Sequence, residues 1–385
     1  MVAAIVLVDT MFYAAIAPLL PYYSHHFHLA KSQAGVLAAS YAAGTLLGSI
    51  PAGWFAARVG VRSTVLSGLG LMIAASLAFG FATAVGLLDA ARFVQGIGGA
   101  ASWAAGMAWL IDRAPANRRG EVIGGTLAAA IAGALLGPVL GTAAVQTTPK
   151  FVFSIVAVIG VGLLMWTLAE QAPPPRREAS LQGFKPALRE PRVLAGMWLT
   201  MLAALLYGTL AVLAPLRLSH LGARNVTVGA AFLCGAAIAA LCSPLVGRLA
   251  DRRGWRVPVV AGLSLSTVWV LLLALPRAVA PLFAVVVVAD VVFGVPYAPA
   301  GAMISDGAQR VGLEQAVGFG LFNLAWAGGQ VLGGAGGAGL AQATADAVPY
   351  SLLAALCLVT VAAVARRRPA QGAGGPPRWL PGGSP

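Results

Sequence analysis

Apolar residues run along this chain in long unbroken blocks rather than in the one-face-in-three spacing of a soluble helix. Blocks of roughly 20 residues, the length that crosses a hydrocarbon layer about 30 Å thick, recur at 2–23, 33–56, 64–84, 86–111, 120–144, 150–169, 192–216, 227–249, 257–275, 280–304, 314–340 and 347–365. Short polar or Gly/Pro-rich junctions separate them. The long polar stretch is 171–191, QAPPPRREASLQGFKPALREP, whose consecutive prolines start a stiff extended segment. It divides the chain into an N-terminal six-helix bundle over 1–170 and a C-terminal six-helix bundle over 192–366. A Gly/Pro-rich tail over 367–385 has the composition of a disordered segment. The expected fold class is an all-α membrane protein, with twelve transmembrane helices in two pseudo-symmetric six-helix bundles.

The halves repeat one another at their most polar junctions. GRLADRRGWR at Gly247–Arg256 and GWFAARVGVR at Gly53–Arg62 begin 194 positions apart. In both, a glycine and a small residue precede a basic turn, and an apolar block follows at once. Duplicated Gly- and Arg-rich hinges in two apolar halves are the plan of many secondary transporters. The fourth and tenth spans are expected to end at Asp112 and Asp306, and Glu121 and Glu314 to open the fifth and eleventh. The fifth span carries Gly133, Gly137, Pro138 and Gly141. Glycines four apart share a helix face and admit a neighbouring backbone, here expected to be a helix of the other half, while Pro138 removes one backbone hydrogen bond and bends the helix.

Composition agrees with lipid as the solvent. The chain has 385 residues, of which 59% are hydrophobic and 10% charged, and its mean hydropathy is +0.85. Of the 25 basic residues, nineteen fall on the side holding the even-numbered junctions and the C-terminus, and five on the other. That bias puts both termini in the cytoplasm of a multi-pass plasma-membrane protein. The net charge of +13 is scattered over short junctions, so it predicts a lipid bilayer and no nucleic acid as partner. Cys234, Cys242 and Cys357 lie inside apolar blocks and imply no disulfide framework. The first block lacks a basic leader and contains Asp9, which argues against a cleaved signal peptide. No phosphate loop, nucleophile–base set or metal cluster stands in a polar segment, so neither enzymatic activity nor a cofactor is expected. His25, His26 and His28 cluster after Pro21, and a solvated loop is the simpler reading of them than a metal site.

Candidate chemistry lies inside the blocks. Asp9 in AIVLVDTMFYAAIAP and Asp290 in FAVVVVADVVFGVPYAP are carboxylates surrounded by apolar residues. Such a group costs about 2.5–3.5 kcal/mol on insertion scales and generally faces a cavity or a partner. Asp89 is near enough to a span end to be solvated. Arg92 keeps its charge and must find a carboxylate, carbonyls or water; a structural Asp9–Arg92 pair is the alternative to a functional Asp9. Tyr13, Tyr41, Gln95, Trp103, Tyr207, Tyr297, Asn323 and Trp326 are candidate pocket residues. Aromatic rings beside a buried carboxylate favour a lipophilic, cationic substrate by cation–π attraction and charge pairing.

Three motifs carry a family resemblance. G-x-x-x-D-R-x-G-R resembles the signature loop of the major facilitator superfamily. The second copy matches it with Gly247, Asp251, Arg252, Gly254 and Arg256; the first keeps Gly53, Arg58, Gly60 and Arg62 but has Ala57 in place of the acid. Arg92, Gln95 and Gly96 resemble the R-x-x-Q-G motif associated with proton coupling, and Gly133, Gly137, Pro138 and Gly141 resemble the antiporter motif. The Asp9–Pro18 spacing is similar to that of drug/proton and vesicular amine antiporters. The resemblance implies proton-coupled efflux of small lipophilic or amine-like compounds by a monomer. Arg92, and Asp9 by its spacing, are then proton-coupling residues; the burial of Asp9 and Asp290 in apolar blocks makes Asp9 the group for which proton and substrate are expected to compete and Asp290 a second proton site. The resemblance also implies an asymmetric latch in which Asp251 meets the start of the fifth helix and Arg62 works with Asp112. A facilitator or symporter for a small metabolite and a non-transporting membrane sensor are the alternatives.

Overall fold

The computed structural model describes residues 1–114, 119–171, 184–312 and 315–366. The tail, most of the 171–191 linker, Glu314 and the side chains of Ala57, Asp112, Glu121 and Asp251 lie outside the described residues.

Every expected span coincides with helix. The first half contains α1 (Val2–Ala14), α2 (Ile16–His26), α3 (Lys31–Val59), α4 (Val61–Gly80), α5 (Val85–Arg113), α6 (Arg119–Gln146) and α7 (Pro149–Ala169). After the short α8 (Phe184–Ala187) come α9 (Pro191–His220), α10 (Asn225–Arg253), α11 (Arg256–Leu272), α12 (Val279–Gly294) and α13 (Tyr297–Arg310). Then follow α14 (Gln315–Val331), a π-helical turn at Leu332–Gly336, α15 (Gly337–Ala343) and α16 (Ala347–Arg366). Among the described residues, nine helical spans are long and apolar enough to cross a membrane. The protein is a multi-pass integral membrane protein with an all-α fold.

Two spans expected to be continuous are each broken in the middle. The first divides at Ala15, between α1 and α2, and the tenth at Val295–Pro296, between α12 and α13. Pro18 and Pro299 sit four residues beyond Ala14 and Val295 and cannot donate to their carbonyls. The fourth and tenth spans also run past Asp112 and Asp306, to Arg113 and Arg310.

The duplication is visible in backbone geometry. Gly60 joins α3 to α4 with φ +99°, and Gly254 joins α10 to α11 with φ +80°. These glycines are 194 positions apart, and side-chain-bearing residues avoid that region. The glycine rows repeat as well. Gly133, Gly137 and Gly141 of α6 face Leu7, Met11 and Ala15, the residues of α1 and of its junction with α2, whereas Gly329, Gly333 and Gly337 face Met201, Leu205 and Thr209 of α9. Each facing residue of the second set lies 194 positions after its counterpart. A Cβ at Gly137 would come within 2.8 Å of the Ala14 backbone. The motif glycines therefore pack against their own half, correcting the expectation of a partner in the other.

Contact between the halves comes from elsewhere. Gly35 of α3 meets Ala335 and Ala338, and Gly229 of α10, its counterpart 194 positions on, meets Pro138 and Thr142 of α6. Beyond them Lys31 pairs with Asp346 at 2.6 Å, the Ser32 N–H donates to Gln342 Oε1 at 2.8 Å, and His25 lies 3.3 Å from Ser219 Oγ. All of these lie at the end opposite the signature loops. Toward the loops the facing helices expose large apolar side chains: Leu47, Ile50 and Trp54 on α3, Leu241 and Leu245 on α10. Among the described residues, the contacts of Lys31, Ser32 and His25 tie the two halves together at the end opposite the signature loops.

Candidate functional site

Asp9 is 1% exposed on α1. Its Oδ2 accepts from the Tyr41 hydroxyl of α3 at 2.8 Å and from Trp103 Nε1 of α5 at 3.2 Å. Oδ1 is buried without a partner among the described residues. The carboxylate fits because α5 presents Gly99 beneath it: a Cβ there would lie 2.9 Å from both oxygens and 2.8 Å from the Tyr41 hydroxyl. Gly99 is a site residue that sequence reasoning missed, since nothing local separates it from the other glycines of GIGGAASW.

Arg92, also 1% exposed, lies about two turns back along α5 on nearly the same face. Its guanidinium donates to Gln95 Oε1 at 2.9 Å and to the carbonyls of Phe12 and Tyr13 at 3.3 and 3.2 Å. It also lies over the rings of Tyr41 (5.3 Å), Tyr13 (5.8 Å) and Phe12 (6.0 Å). Among the described residues Asp9 and Arg92 form no ion pair within 4.0 Å. Tyr41 stands between them, with its hydroxyl on the carboxylate and its ring toward the cation. A structural Asp9–Arg92 pair is thus replaced by two groups with separate hydrogen-bond partners, within electrostatic reach of one another.

The first half reaches the second through aromatic rings. Tyr13 packs on Tyr41 at 4.7 Å and edge-on against Trp326 of α14 at 5.4 Å; Tyr41 and Trp326 are 6.5 Å apart. Asn323 is half-buried one turn before Trp326. A second cluster surrounds Asp290 of α12. The Tyr207 hydroxyl of α9 donates to the Asp290 carbonyl, the Tyr207 and Tyr297 rings stack at 5.9 Å, and Phe322 lies 6.0 Å from Tyr297. The candidate residues therefore gather in two groups, Asp9–Tyr41–Trp103–Arg92–Gln95 and Asp290–Tyr207–Tyr297. Tyr13 lies within electrostatic reach of Tyr207 and Tyr297 of the second group.

The signature loops lie apart from both clusters. Arg58 rests over Trp54 at 5.0 Å and Arg256 over Trp255 at 5.6 Å. Arg62 donates to the Leu168 carbonyl at the end of α7, whereas Asp112 and Asp251, its expected counterparts in a latch, lie outside the described side chains. Gly53 and Gly247 have nothing among the described residues within 4 Å of an added Cβ. His26 stacks on Tyr22, and His28 takes φ +52° at the end of the turn after α2.

Sequence reasoning also passed over the seal at the opposite end. Asp346 receives Lys31 from the first half and lies 3.9 Å from Arg217 of its own half. Arg217 in turn donates to the carbonyls of Ala274 and Pro276 at 2.9 and 3.0 Å. Lys31 and Asp346 are 315 positions apart and looked like ordinary loop charges.

Comparison with known proteins places this geometry in context. The profile described as Major Facilitator Superfamily matches residues 2–334. MFS-type transporter ppzB of Metarhizium majus is 34% identical over 139 residues, covering 34% of this chain and 30% of that protein. The MFS-type transporter YcaD of Escherichia fergusonii, itself uncharacterized, is 29% identical over 252 residues, 64% of each chain. The arabinose-proton symporter of Escherichia coli (strain K12) is 35% identical over 109 residues, 28% of this chain and 23% of its own. The matches thus span from about a quarter to just under two thirds of these relatives' length. A bacterial homologue of the human lysosomal transporter Spinster, solved in an inward-facing and unoccupied conformation, superposes with a TM-score of 0.73 at 17% identity, over 94% of both chains. A POT family transporter in complex with 5-aminolevulinic acid gives 0.74 at 16%, with the same coverage. Identities this low speak to the fold.

Proposed function

The chain belongs to the Major Facilitator Superfamily, and we propose that within it this protein is a secondary active transporter that exports small lipophilic, cationic or amine-like compounds in exchange for protons. The observation that carries this reading is Asp9: a carboxylate in a membrane-spanning helix, held through one oxygen by Tyr41 and Trp103 and with the other unpartnered among the described residues. Burial opposes its charge, while two donors and the nearby guanidinium of Arg92 favour it. A group under opposed influences of this kind is able to take up and release a proton, which coupling requires. Arg92, tied to Gln95 and two carbonyls, supplies a fixed positive charge that a changing Asp9 alters in effect.

With the basic junctions in the cytoplasm, the signature-loop end faces the cytoplasm and the Lys31–Asp346 contact lies at the outer end. Movement between this arrangement and its opposite would carry substrate across. The aromatic lining from both halves, Tyr13, Tyr41, Trp326, Tyr207 and Tyr297, supports a lipophilic substrate over a sugar, for which more hydrogen-bonding side chains would be needed. The six-helix units of 1–170 and 192–366, the joining linker, the monomeric state and the plasma-membrane location belong to the same proposal. The experiment is transport by purified protein in liposomes under an imposed pH gradient, with cationic dyes, amines and sugars as substrates. Gradient-driven accumulation of cations and amines supports the reading; sugar accumulation alone would favour a metabolite symporter, and binding without flux a sensor.

A further inference from the structure

Asp290 and Asp9 are both buried membrane carboxylates, yet their surroundings are not alike. Asp9 has two hydrogen-bond donors and a guanidinium nearby. The Asp290 carboxylate has neither: among the described residues it receives no hydrogen bond, and no Lys, Arg or His nitrogen lies within 4.0 Å. It is 7% exposed and is pressed toward α10, where a Cβ on Gly235 would come within 2.6 Å of Oδ2 and 2.7 Å of the Asp290 Cβ. That glycine is what lets the carboxylate occupy this place.

Around it stand two tyrosines from separate helices, Tyr207 of α9 and Tyr297 of α13, with near-parallel rings 13° apart in plane. Both phenol groups lie within electrostatic reach of Asp290. The Tyr207 hydroxyl is spent on the Asp290 backbone carbonyl, which fixes its ring. The Tyr297 hydroxyl is buried with no partner among the described residues. A buried carboxylate without a donor is satisfied by a proton or by a cation brought to it. Two stacked aromatic rings beside it favour a cation that is broad and weakly hydrated over a small metal ion, which would demand several oxygen ligands.

We infer that Asp290, framed by Tyr207 and Tyr297 and seated on Gly235, is the counter-ion site for a monovalent organic cation. Proton and substrate then occupy different carboxylates, Asp9 in the first half and Asp290 in the second. This deepens the transport reading above and rests on it for the role of Asp9, but the binding site itself does not require proton coupling. It replaces the expectation that both ligands compete for Asp9. The Tyr297 hydroxyl is the natural acceptor for an N–H of an amine, so primary to tertiary amines gain a bond there that a quaternary cation does not.

The test is equilibrium binding to purified full-length protein, with tetraphenylphosphonium as cation and triphenylphosphine oxide as a neutral compound of similar ring surface. Wild type binds the cation at least tenfold more tightly. Asp290→Asn removes that preference, Asp290→Glu restores most of it, and both variants elute as the wild type does on size exclusion. Equal binding of the two probes by wild type, or an undiminished preference in a well-folded Asp290→Asn protein, would overturn the inference. Loss of folding in Asp290→Asn shifts the decision to Tyr207→Phe and Tyr297→Ala. The first is expected to keep the preference within threefold and the second to reduce it severalfold; an unchanged preference in Tyr297→Ala counts against the site. Proton coupling is read separately: preference for the cation without gradient-driven flux would leave this site standing and remove the transport mechanism.

Discussion

The Tyr41 hydroxyl donates to Oδ2 of Asp9 at 2.8 Å, and the centroid of the same ring is 5.3 Å from the Arg92 guanidinium. One tyrosine thus touches both ionisable groups of the first-half cluster. Tyr41→Phe keeps the ring and removes only the donor. Hydrogen bonds to charged groups contribute about 1.5–3 kcal/mol, so the energetics of Asp9 charging shift by a factor of roughly ten or more. Proton-driven flux is expected to fall by about that factor while insertion is unchanged. Wild-type flux at every pH would remove Tyr41 from the coupling site.

Gly99→Ala probes the same carboxylate without changing any charge. The added methyl meets both Asp9 oxygens at 2.9 Å, so the carboxylate must leave Tyr41 and Trp103 or α5 must move. Overpacking of this kind costs about 1–3 kcal/mol, and both flux and thermal stability should drop. Gly53→Ala, inside α3 and with nothing within 4 Å of an added Cβ, should keep or slightly raise the melting temperature. Equal melting temperatures for all three proteins would show that Gly99 is not packed as described.

Gly137→Leu and Gly229→Leu separate packing within a half from closure between halves. Gly137 abuts Met11 and Ala14 of α1, so leucine should destabilise the first half as a whole. Gly229 abuts Thr142 and Pro138 across the seal, so leucine there should prop that end open in a protein of near-normal stability. The check is melting temperature alongside the yield of a disulfide between cysteines placed at Lys31 and Asp346. A large stability loss in both variants, with the same crosslinking yield, would contradict the distinction.

Much of this was legible from residues, and the misses share one physical cause. Continuous apolar blocks located the helices because lipid demands length and apolarity, and Gly60 and Gly254 announced their turns by composition. Asp9, Arg92, Tyr41 and Trp103 stood out as costly or polar-tipped groups inside apolar blocks. What sequence did not contain was which helix faces which. The row Gly133–Gly137–Gly141 signals a close approach but not to what, and the neighbour is α1 rather than the other half. Gly99 and Gly235 matter only because carboxylates from α1 and α12 arrive over them. The breaks at Ala15 and Val295–Pro296 were readable in principle from Pro18 and Pro299, whose missing donors were passed over.

The Lys31–Asp346 contact should act as a weak clasp. Half-exposed ion pairs contribute about 0–1 kcal/mol, so Asp346→Asn should shift the balance between the two openings by no more than about fivefold. Labelling of a cysteine at Ser219 by a membrane-impermeant maleimide from the outside is expected to rise within that range. High salt should narrow the difference, because screening already weakens the wild-type pair. A labelling rate unchanged at low salt would mean that the apolar contacts at Gly35 and Gly229 hold the seal alone.

The most direct test of the whole account is Asp9→Asn, reconstituted in liposomes and assayed at two pH values with and without a pH gradient. The amide preserves size and still accepts from Tyr41 and Trp103, but it cannot carry a proton. The account predicts that gradient-driven accumulation disappears and that initial rates lose their dependence on pH, while the protein remains inserted and monodisperse. Accumulation against a concentration gradient by the Asp9→Asn protein, with the pH dependence of the wild type, would contradict it.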